Sequence, residues 1–295
     1  MNTDVLSTRQ VATLLGVGEA TVKRWADQGE IDCFRTPGGH RKFRLRDVTA
    51  FVQRRQYAAP GILPEGVPPG ADSPGDAAVA HFKAAALRGD ATALVAQLSA
   101  LRLRGNDLAT LFDEVATPAL HAIGVEWEKR RLSVADEHVA SQAILDAIAR
   151  SQPLAEPPGE PVRPDRGTAI VAAVAGEQHD IAARMAACLL RARGFEVLAP
   201  LAMTPARDLA DLILRSRASL VALSCTMVSG TEEQVRLACA AAGQTGGKVL
   251  VGGAGMQRGA LPPEARLLDS MRALDAEAAG AGRRRTRSAV ASTTR

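Results

Sequence analysis

Aromatic residues are scarce in this chain: they make up 3% of its 295 residues, and only two of them are tryptophans. No apolar run approaches the roughly 18 residues of a membrane-spanning helix, and the start, "MNTDVLSTRQ", lacks the regions of a secretory signal. The four cysteines are scattered, without a CxxC pair or metal-ligand spacing. These absences predict a soluble, non-secreted protein of the cytoplasm whose cysteines are reduced, buried thiols.

The charge is unevenly distributed, although the net charge is only +4. Residues 1–57 hold ten Lys and Arg against six Asp and Glu, and residues 277–295 hold five Arg against one Glu. The middle of the chain is therefore acidic. Basic ends are typical of a protein with a polyanionic partner, but they also fit ordinary solvated surfaces, so charge alone does not decide.

Two stretches rich in proline and glycine, "APGILPEGVPPGADSPG" and "SQPLAEPPGEPVRPDRG", cannot hold a helix and predict linkers. With a hydrophobic content of 46%, the blocks between them can bury cores. The predicted boundaries are domains at 1–57, 76–151 and 167–278, linkers at 58–75 and 152–166, and a basic disordered tail at 279–295.

The second and third blocks have different periodicities. The second is rich in Ala and Leu with helical spacing and predicts four helices, broken at Gly89, Gly105 and Leu132–Ser133, in an antiparallel bundle. The third alternates strand and helix patterns, which predicts a Rossmann-like parallel sheet that binds ligands at the carboxyl ends of its strands. The predicted fold class is therefore multidomain α + α/β.

The first block, "LSTRQVATLLGVGEATVKRWADQGEI", has the pattern of a helix-turn-helix. Ser7 and Gln10 form a capping box for the first helix, and the second helix turns Val22 and Trp25 inward. That helix would meet the major groove with the residues exposed near its start, which are Thr21, Lys23 and Arg24.

The next stretch, "CFRTPGGHRKFRLRDVTAFV", predicts a β-hairpin wing with His40, Arg41 and Lys42 at its tip. Together, residues 5–55 resemble the DNA-binding domain of the MerR family, and "TPGGHRKF" is the most specific part of the match. The resemblance implies a winged helix-turn-helix head whose partner is double-stranded operator DNA.

Three motifs follow strands of the third block: "GEQHDIA", "SCT" and "GG". They resemble the D-x-H-x-x-G, S-x-T/L and G-G motifs of cobalamin-binding domains of the methionine synthase and mutase type, over about residues 167–275. The chain departs from the pattern at Glu177, where the family has Asp, and at Ala182, where it has Gly and where the added methyl would lie near the nucleotide tail of the cofactor.

The cobalamin resemblance implies a role for each matching position. His179 would be the lower axial ligand of cobalt, with Glu177 at its other ring nitrogen. Ser224 and Thr226 would hydrogen-bond the displaced nucleotide tail, and the bare backbone of Gly252 and Gly253 would let that tail pass.

The bundle contains the pattern W-x9-E-H, formed by Trp127, Glu137 and His138. A single tryptophan is more often a core residue, but this pattern resembles the CarH/LitR group of adenosylcobalamin photoreceptor repressors. There the bundle covers the upper face of the corrin, the Trp packs over the adenosyl group, and Glu-His hold the nucleoside. The residue after the Trp is Glu128, where members of that group have a His that captures cobalt after illumination. His138, water or Glu128 could take that place, or the light response differs.

These resemblances predict a cobalamin-dependent transcriptional repressor that is not an enzyme and has no membrane partner. Adenosylcobalamin, or another cobalamin form, would set a dimeric or tetrameric state and so control operator binding, and light would dissociate the assembly. One alternative is a light-independent cobalamin sensor or partner-binding regulator, which Glu128 favours. Another is a corrinoid-carrying enzyme subunit, in which a DNA-binding head has no evident use.

Overall fold

The computed structural model describes residues 5–15, 17–44, 47–48, 50–51, 74–103, 106–151, 165–202, 204–226, 231–256 and 261–281. The chain divides into two compact units, Met1–Pro161 and Val162–Arg295. Nearly all of the predicted linkers at 58–75 and 152–166, and the predicted tail from residue 282 onward, lie outside the described residues. Within the described part, no helix is long and apolar enough to cross a membrane. Cys188, Cys225 and Cys239 are buried as predicted, but the prediction is wrong for Cys33, which lies in an exposed stretch of the head.

The first unit begins with a small winged helix-turn-helix fold. Its elements are β1 (Val5–Ser7), α1 (Thr8–Leu15), α2 (Glu19–Asp27), β2 (Phe34–Arg35) and β3 (Arg41–Arg44), and the strands pair antiparallel in the order β1-β3-β2. The capping box is confirmed: the Ser7 amide donates to Gln10 Oε1 at 2.8 Å, and the Gln10 amide donates to Ser7 Oγ at 3.3 Å. Trp25 packs in the core, with its ring centroid 4.7 Å from that of Phe51.

The wing differs from its prediction at the tip. The turn spans residues 36–40, where the Thr36 amide donates to the His40 carbonyl at 3.0 Å. Arg41 and Lys42 lie in β3, paired with β2, so their predicted place at the tip is wrong and only His40 belongs to the turn. The reason is the pairing register. Arg35 pairs with Arg41, so only "TPGGH" is left to form the turn.

The predicted four helices of the second block are confirmed. They are α3 (Asp76–Leu87), α4 (Ala91–Leu103), a continuous third helix made of α5 (Leu108–Leu111), a π-helical turn (Phe112–Ala116) and α6 (Thr117–Glu128), and α7 (Val134–Arg150). Gly89 lies in the first break with a φ of 71°, while Gly105 lies outside the described residues. The π-helical turn ends at Ala116, two residues before Pro118, which cannot donate the backbone hydrogen bond of a helix interior.

The second unit is a Rossmann-like fold. Its elements are β4 (Thr168–Ala173), α8 (Ile181–Ala192), β5 (Glu196–Leu201), α9 (Ala206–Ser216), β6 (Leu220–Ser224), α10 (Glu232–Thr245), β7 (Lys248–Gly252), β8 (Ala265–Leu268) and α11 (Met271–Ala281). The described strands are parallel in the order β5-β4-β6-β7-β8, with a buried apolar cluster on each face. Strand β8 and helix α11 were not predicted, and α11 runs three residues beyond the predicted boundary at 278.

The strand order creates a switch point between β4 and β6. From β4 the chain crosses to β5 on one side and then returns to β6 on the other, so the loops after β4 and β6 diverge at the carboxyl edge. In doubly wound sheets, ligands bind in the crevice that such divergence opens. The "GEQHDIA" and "SCT" motifs follow these two strands.

Candidate functional site

A buried carboxylate lies at the switch point. The side chain of Glu177 is completely buried, and its Oε1 lies 2.6 Å from His179 Nδ1 and 2.9 Å from the His179 amide nitrogen. Its Oε2 accepts a hydrogen bond from the Thr226 amide at 2.8 Å. The two oxygens of one side chain therefore join the loop after β4 to the loop after β6.

The same contact fixes the chemistry of His179. An ionised carboxylate only accepts hydrogen bonds, so the proton of a neutral imidazole lies on Nδ1, and Nε2 keeps a free lone pair. The His179 side chain is 60% exposed. An outward-facing imidazole that is held from behind by a carboxylate is suited to bind a metal ion through Nε2.

The surroundings of this pair include an unsatisfied polar atom. Ser224, the last residue of β6, is 7% exposed, and its Oγ has no hydrogen-bond partner among the described residues. Buried hydroxyl groups normally have a partner, so this one is available to a ligand. Next to it, burial raises the pKa of the Cys225 thiol and keeps it protonated at neutral pH.

The two glycines after β7 are not equivalent. Gly253 has a φ of 112°, and a Cβ there would overlap the carbonyl oxygen of Cys225. A Cβ at Gly252 would have its nearest neighbour, the Leu268 carbonyl oxygen, at 3.8 Å. The backbone therefore requires glycine at 253, whereas at 252 a side chain would fit.

The bundle presents its predicted ligand-contacting residues at the junction of α6 and α7. Trp127 is 46% exposed and lies outside the buried core, so the interpretation of Trp127 as a core residue is wrong. Glu128 and His138 are also exposed. Glu137 accepts a hydrogen bond from Ser141 Oγ at 2.5 Å, and its Oε2 lies 3.6 Å from His138 Nε2.

Apolar side chains surround this junction. Val134 and Val139 are 56% and 47% exposed, which places them with Trp127 among the most exposed large apolar residues of the described chain. The loop itself is braced by Arg131, whose hydrogen bond to Glu126 lowers the pKa of that carboxyl to about 2. The exposed surface is therefore displayed on an ordered turn.

The head displays its basic residues on two elements. Lys23 and Arg24 are exposed in the second turn of α2, whereas Thr21 is half-buried rather than exposed as predicted. In the wing, Arg41 forms an ion pair with Asp27 at 2.5 Å, which links β3 to the end of α2. Lys42 is half-buried beside it in β3.

Comparison with known proteins assigns these parts to families. Residues 5–56 match the model of a helix-turn-helix domain, and residues 79–151 and 167–265 each match a B12 binding domain. The chain is 29% identical over 247 residues to the HTH-type transcriptional repressor CarH of Myxococcus xanthus. This match covers 75% of this chain and 79% of that protein. The chain is a homologue of CarH.

Two further proteins match smaller shares of this CarH homologue. The transcriptional repressor DcmR of Methylorubrum extorquens is 40% identical over 57 residues, 19% of this chain and 22% of that protein. The monomethylamine corrinoid protein of Methanosarcina barkeri has a TM-score of 0.55 at 14% identity, over 68% of this chain and 95% of that one, and it shows the fold alone. With its DNA-binding and B12 binding domains, this CarH homologue is a cobalamin-binding transcription regulator.

Sequence reasoning missed one polar residue at the sheet edge. Gln234 lies in the first turn of α10 and is 4% exposed. Its Oε1 accepts a hydrogen bond from the Ala175 amide, while its Nε2 has no partner among the described residues. The pattern "TEEQVRL" carries no signal for this, because a glutamine in the first turn of a helix ordinarily faces solvent.

Proposed function

We propose that this CarH homologue is a light-responsive repressor that depends on adenosylcobalamin and whose oligomeric state and operator binding are set by the bound cobalamin. The observation that supports this best is the exposed His179 imidazole, held at Nδ1 by the buried Glu177, in a chain that also carries a helix-turn-helix head. The proposal has a lower-face part, an upper-face part and a DNA-binding part.

The residues at the sheet edge fit a cobalamin. His179 Nε2 would bind the cobalt from below, and Glu177 would hold the imidazole in the ligating tautomer and increase its basicity. The unpaired Ser224 hydroxyl would donate to the nucleotide tail, and the glycine backbone at 253 would let the tail lie close to the strand edge.

Three further positions take the roles that the motif implies. Thr226 would bind the tail through its hydroxyl, because its amide is already used by Glu177. Gly252 would lie beside the tail, although the backbone at this position does not require glycine. The half-buried Ala182, in the first turn of α8, would add one methyl group beside the tail.

The upper-face part involves the bundle. Adenosylcobalamin supplies a light-sensitive cobalt–carbon bond. Trp127 would pack its exposed ring on the adenosyl group, and Glu137 and His138 would hydrogen-bond the nucleoside. Contacts that depend on the adenosyl group are lost when the group leaves. The assembly that they stabilise is then no longer favoured over the dissociated form.

The DNA-binding part involves both exposed elements of the head. The exposed side chains of Lys23 and Arg24, with Thr21 beside them, would read base edges in the major groove. The wing, with His40 in its turn and Arg41 and Lys42 in β3, would contact the phosphate backbone.

Glu128 favours a second candidate, a cobalamin sensor that does not respond to light. A carboxylate is a harder and weaker donor to Co(III) than an imidazole, and position 128 is where the CarH/LitR group supplies its imidazole. In this candidate the presence of cobalamin, rather than illumination, changes the oligomeric state.

One experiment distinguishes the candidates. Absorbance spectra and gel filtration of the adenosylcobalamin-loaded full chain are recorded in the dark and after green light. A changed spectrum together with a smaller assembly supports the light-responsive repressor. A changed spectrum with an unchanged assembly, or no change in either, contradicts it and supports the light-independent sensor.

A further inference from the structure

We infer that the ion pair between Glu126 and Arg131 positions Trp127, and that it thereby sets how strongly the adenosyl group stabilises the assembly. This role rests on the proposed function, in which the Trp127 ring packs on that group. The pair lies at the turn between α6 and α7, and Glu126 directly precedes Trp127. Neither charged residue has to touch the ligand, because both act through the backbone that carries Trp127.

The end of α6 is a Schellman motif. The Arg131 amide donates to the Glu126 carbonyl oxygen at 2.9 Å, and the Arg130 amide donates to the Trp127 carbonyl oxygen at 2.8 Å. Arg130 has a φ of 55°, the left-handed conformation that this motif contains. The Trp127 carbonyl group is therefore one of the two acceptors that close the helix. Trp127 keeps its place only while the motif stays closed, since the last turn of a helix otherwise frays.

This motif lacks the two features that usually stabilise it. The left-handed position normally holds glycine, because a Cβ there has a steric cost, but here it holds Arg130. The two residues that its longer hydrogen bond joins often make an apolar contact, but here they are Glu126 and Arg131. The ion pair therefore takes the place of the apolar contact in a motif that has no glycine.

The geometry of the ion pair fixes orientation as well as distance. Arg131 Nε donates to Glu126 Oε2 at 2.5 Å, and Arg131 Nη2 donates to Oε1 at 2.7 Å. Lys83 Nζ, on α3, lies 3.9 Å from the same Oε1, so the pair also links the turn to a neighbouring helix. Most exposed ion pairs contribute little to stability, but paired hydrogen bonds from one guanidinium are the exception.

The same turn leads into the start of α7. The Ser133 amide donates to Asp136 Oδ2 at 2.9 Å, and the Asp136 amide donates to Ser133 Oγ at 3.1 Å, which makes a capping box. Glu137 and His138 follow directly in α7. Opening of the Schellman motif would therefore move Trp127 relative to the two residues proposed to hold the nucleoside.

The test compares the assembly formed with adenosylcobalamin in the dark with the affinity for hydroxocobalamin. Sedimentation velocity at a series of protein concentrations gives the concentration of half-assembly, and absorbance titration gives the dissociation constant. The variants of the full chain are Arg131→Leu, Glu126→Leu, the double Leu variant, and Arg131→Leu combined with Arg130→Gly. Lys129→Met is the matched control, because it removes one exposed positive charge from the same turn. Circular dichroism shows that each variant is folded.

Each single Leu variant should raise the half-assembly concentration about fivefold, the size expected for a lost helix cap, and leave the affinity for hydroxocobalamin unchanged. The double variant should regain most of this loss, because two leucines supply the apolar contact that often accompanies a Schellman motif. Arg130→Gly should also restore part of the loss in Arg131→Leu, because glycine adopts the left-handed conformation without strain. Lys129→Met should behave as wild type.

Three results would overturn the inference. Unchanged assembly of both single Leu variants would show that the ion pair positions nothing. An equal loss of affinity for hydroxocobalamin would show a general effect on the bundle. A loss that neither the double variant nor Arg130→Gly restores would show that the charges themselves contact the ligand or a neighbouring protomer.

Failure of the proposed function would look different. A wild-type chain that does not assemble with adenosylcobalamin, or a Trp127→Ala variant that assembles like wild type, would overturn the proposed upper-face contact and the inference with it. In both cases the fault would lie in the wild-type or Trp127→Ala measurement, whereas the three results above leave those two measurements as the proposed function expects.

Discussion

At the scale of single residues, the site depends on what one buried carboxylate holds in place. Glu177 accepts from His179 through one oxygen and from the Thr226 amide through the other. With glutamate at this position, one side chain contacts both the imidazole and the neighbouring loop. The position of the His179 ring is set by two loops together.

His179→Ala should weaken cobalamin binding and shift the cobalt absorbance to that of a form without a lower nitrogen ligand. The reason is that Nε2 of His179 is the atom of the Glu177–His179 pair that is free to bind a metal ion, on a side chain that is exposed. The spectrum of the loaded variant measures this. His121→Ala is the matched control, because it removes an exposed imidazole of the bundle that has no role in the proposed site and should leave the dark spectrum unchanged. An unchanged His179→Ala spectrum at full occupancy would remove this residue as the ligand.

Glu128→His should slow ligand exchange in the illuminated protein. A carboxylate or water above cobalt exchanges more readily than an imidazole, so the wild-type lit form should take up added imidazole or cyanide quickly. The variant should resist this and show a spectrum with two nitrogen axial ligands. Stopped-flow absorbance measures the exchange rate.

His138→Ala provides the control for this experiment, since His138 is the other exposed imidazole near the α6–α7 junction. A wild-type lit form that already resists exchange, and loses that resistance in His138→Ala, would show that His138 is the ligand. The interpretation of Glu128 as a functional loss would then be wrong.

At the scale of elements, local patterns predicted most of the fold. The alternating strands and helices of the second unit and the four helices of the bundle follow from periodicity, capping and breaks. Strand β8 did not, because "ARLL" follows two prolines and is defined by its pairing with β7 rather than by its own pattern. The place of Arg41 in β3 depends likewise on cross-strand register.

The candidate site was predictable only where a motif marks it. The Glu177–His179 pair and Ser224 belong to motifs at strand ends. Gln234 does not belong to such a motif, since its burial results from packing of α10 on the sheet. Neither the unpaired Nε2 nor the contact to Ala175 can be inferred from the amino-acid sequence.

Within the head, Lys42→Ala and Arg41→Ala should differ. Lys42→Ala should weaken binding to all DNA sequences and reduce the salt slope by about 1, as loss of a phosphate contact does. Arg41→Ala should change the slope less, because the Arg41 guanidinium is already paired with Asp27. Titrations at several salt concentrations measure both slopes. Equal slopes would show that the ion pair opens on DNA.

Arg24→Ala should instead change the sequence preference, because Arg24 is exposed on the recognition helix α2. Binding to a panel of single-base operator variants measures this preference. A uniform loss on all sequences, like that of Lys42→Ala, would assign Arg24 to the backbone instead.

At the scale of the whole molecule, the order of the parts was predictable and their regulation was not. The head, the bundle and the sheet fold follow one another as the composition predicts, and each matches a family model. Whether a bound cobalamin changes the assembly depends on energy differences between states, which no local pattern encodes.

Trp127→Ala should spare cobalamin binding but abolish the assembly that depends on the adenosyl group. His179 would hold the cobalt from below, whereas the exposed Trp127 ring would contact only the upper ligand. Gel filtration with adenosylcobalamin and with hydroxocobalamin measures the effect. An equal loss of affinity for both forms would contradict the assignment of Trp127 to the upper ligand.

The most direct test of cobalamin-controlled repression is the affinity of the full chain for DNA. An operator is selected from random sequences by the dark adenosylcobalamin form, and fluorescence anisotropy then gives its dissociation constant for the apo, dark and illuminated forms. The dark form should bind at least about tenfold more tightly than the other two, and His179→Ala should lose this difference. Equal affinity of all three forms, with cobalamin shown to be bound, would contradict the account.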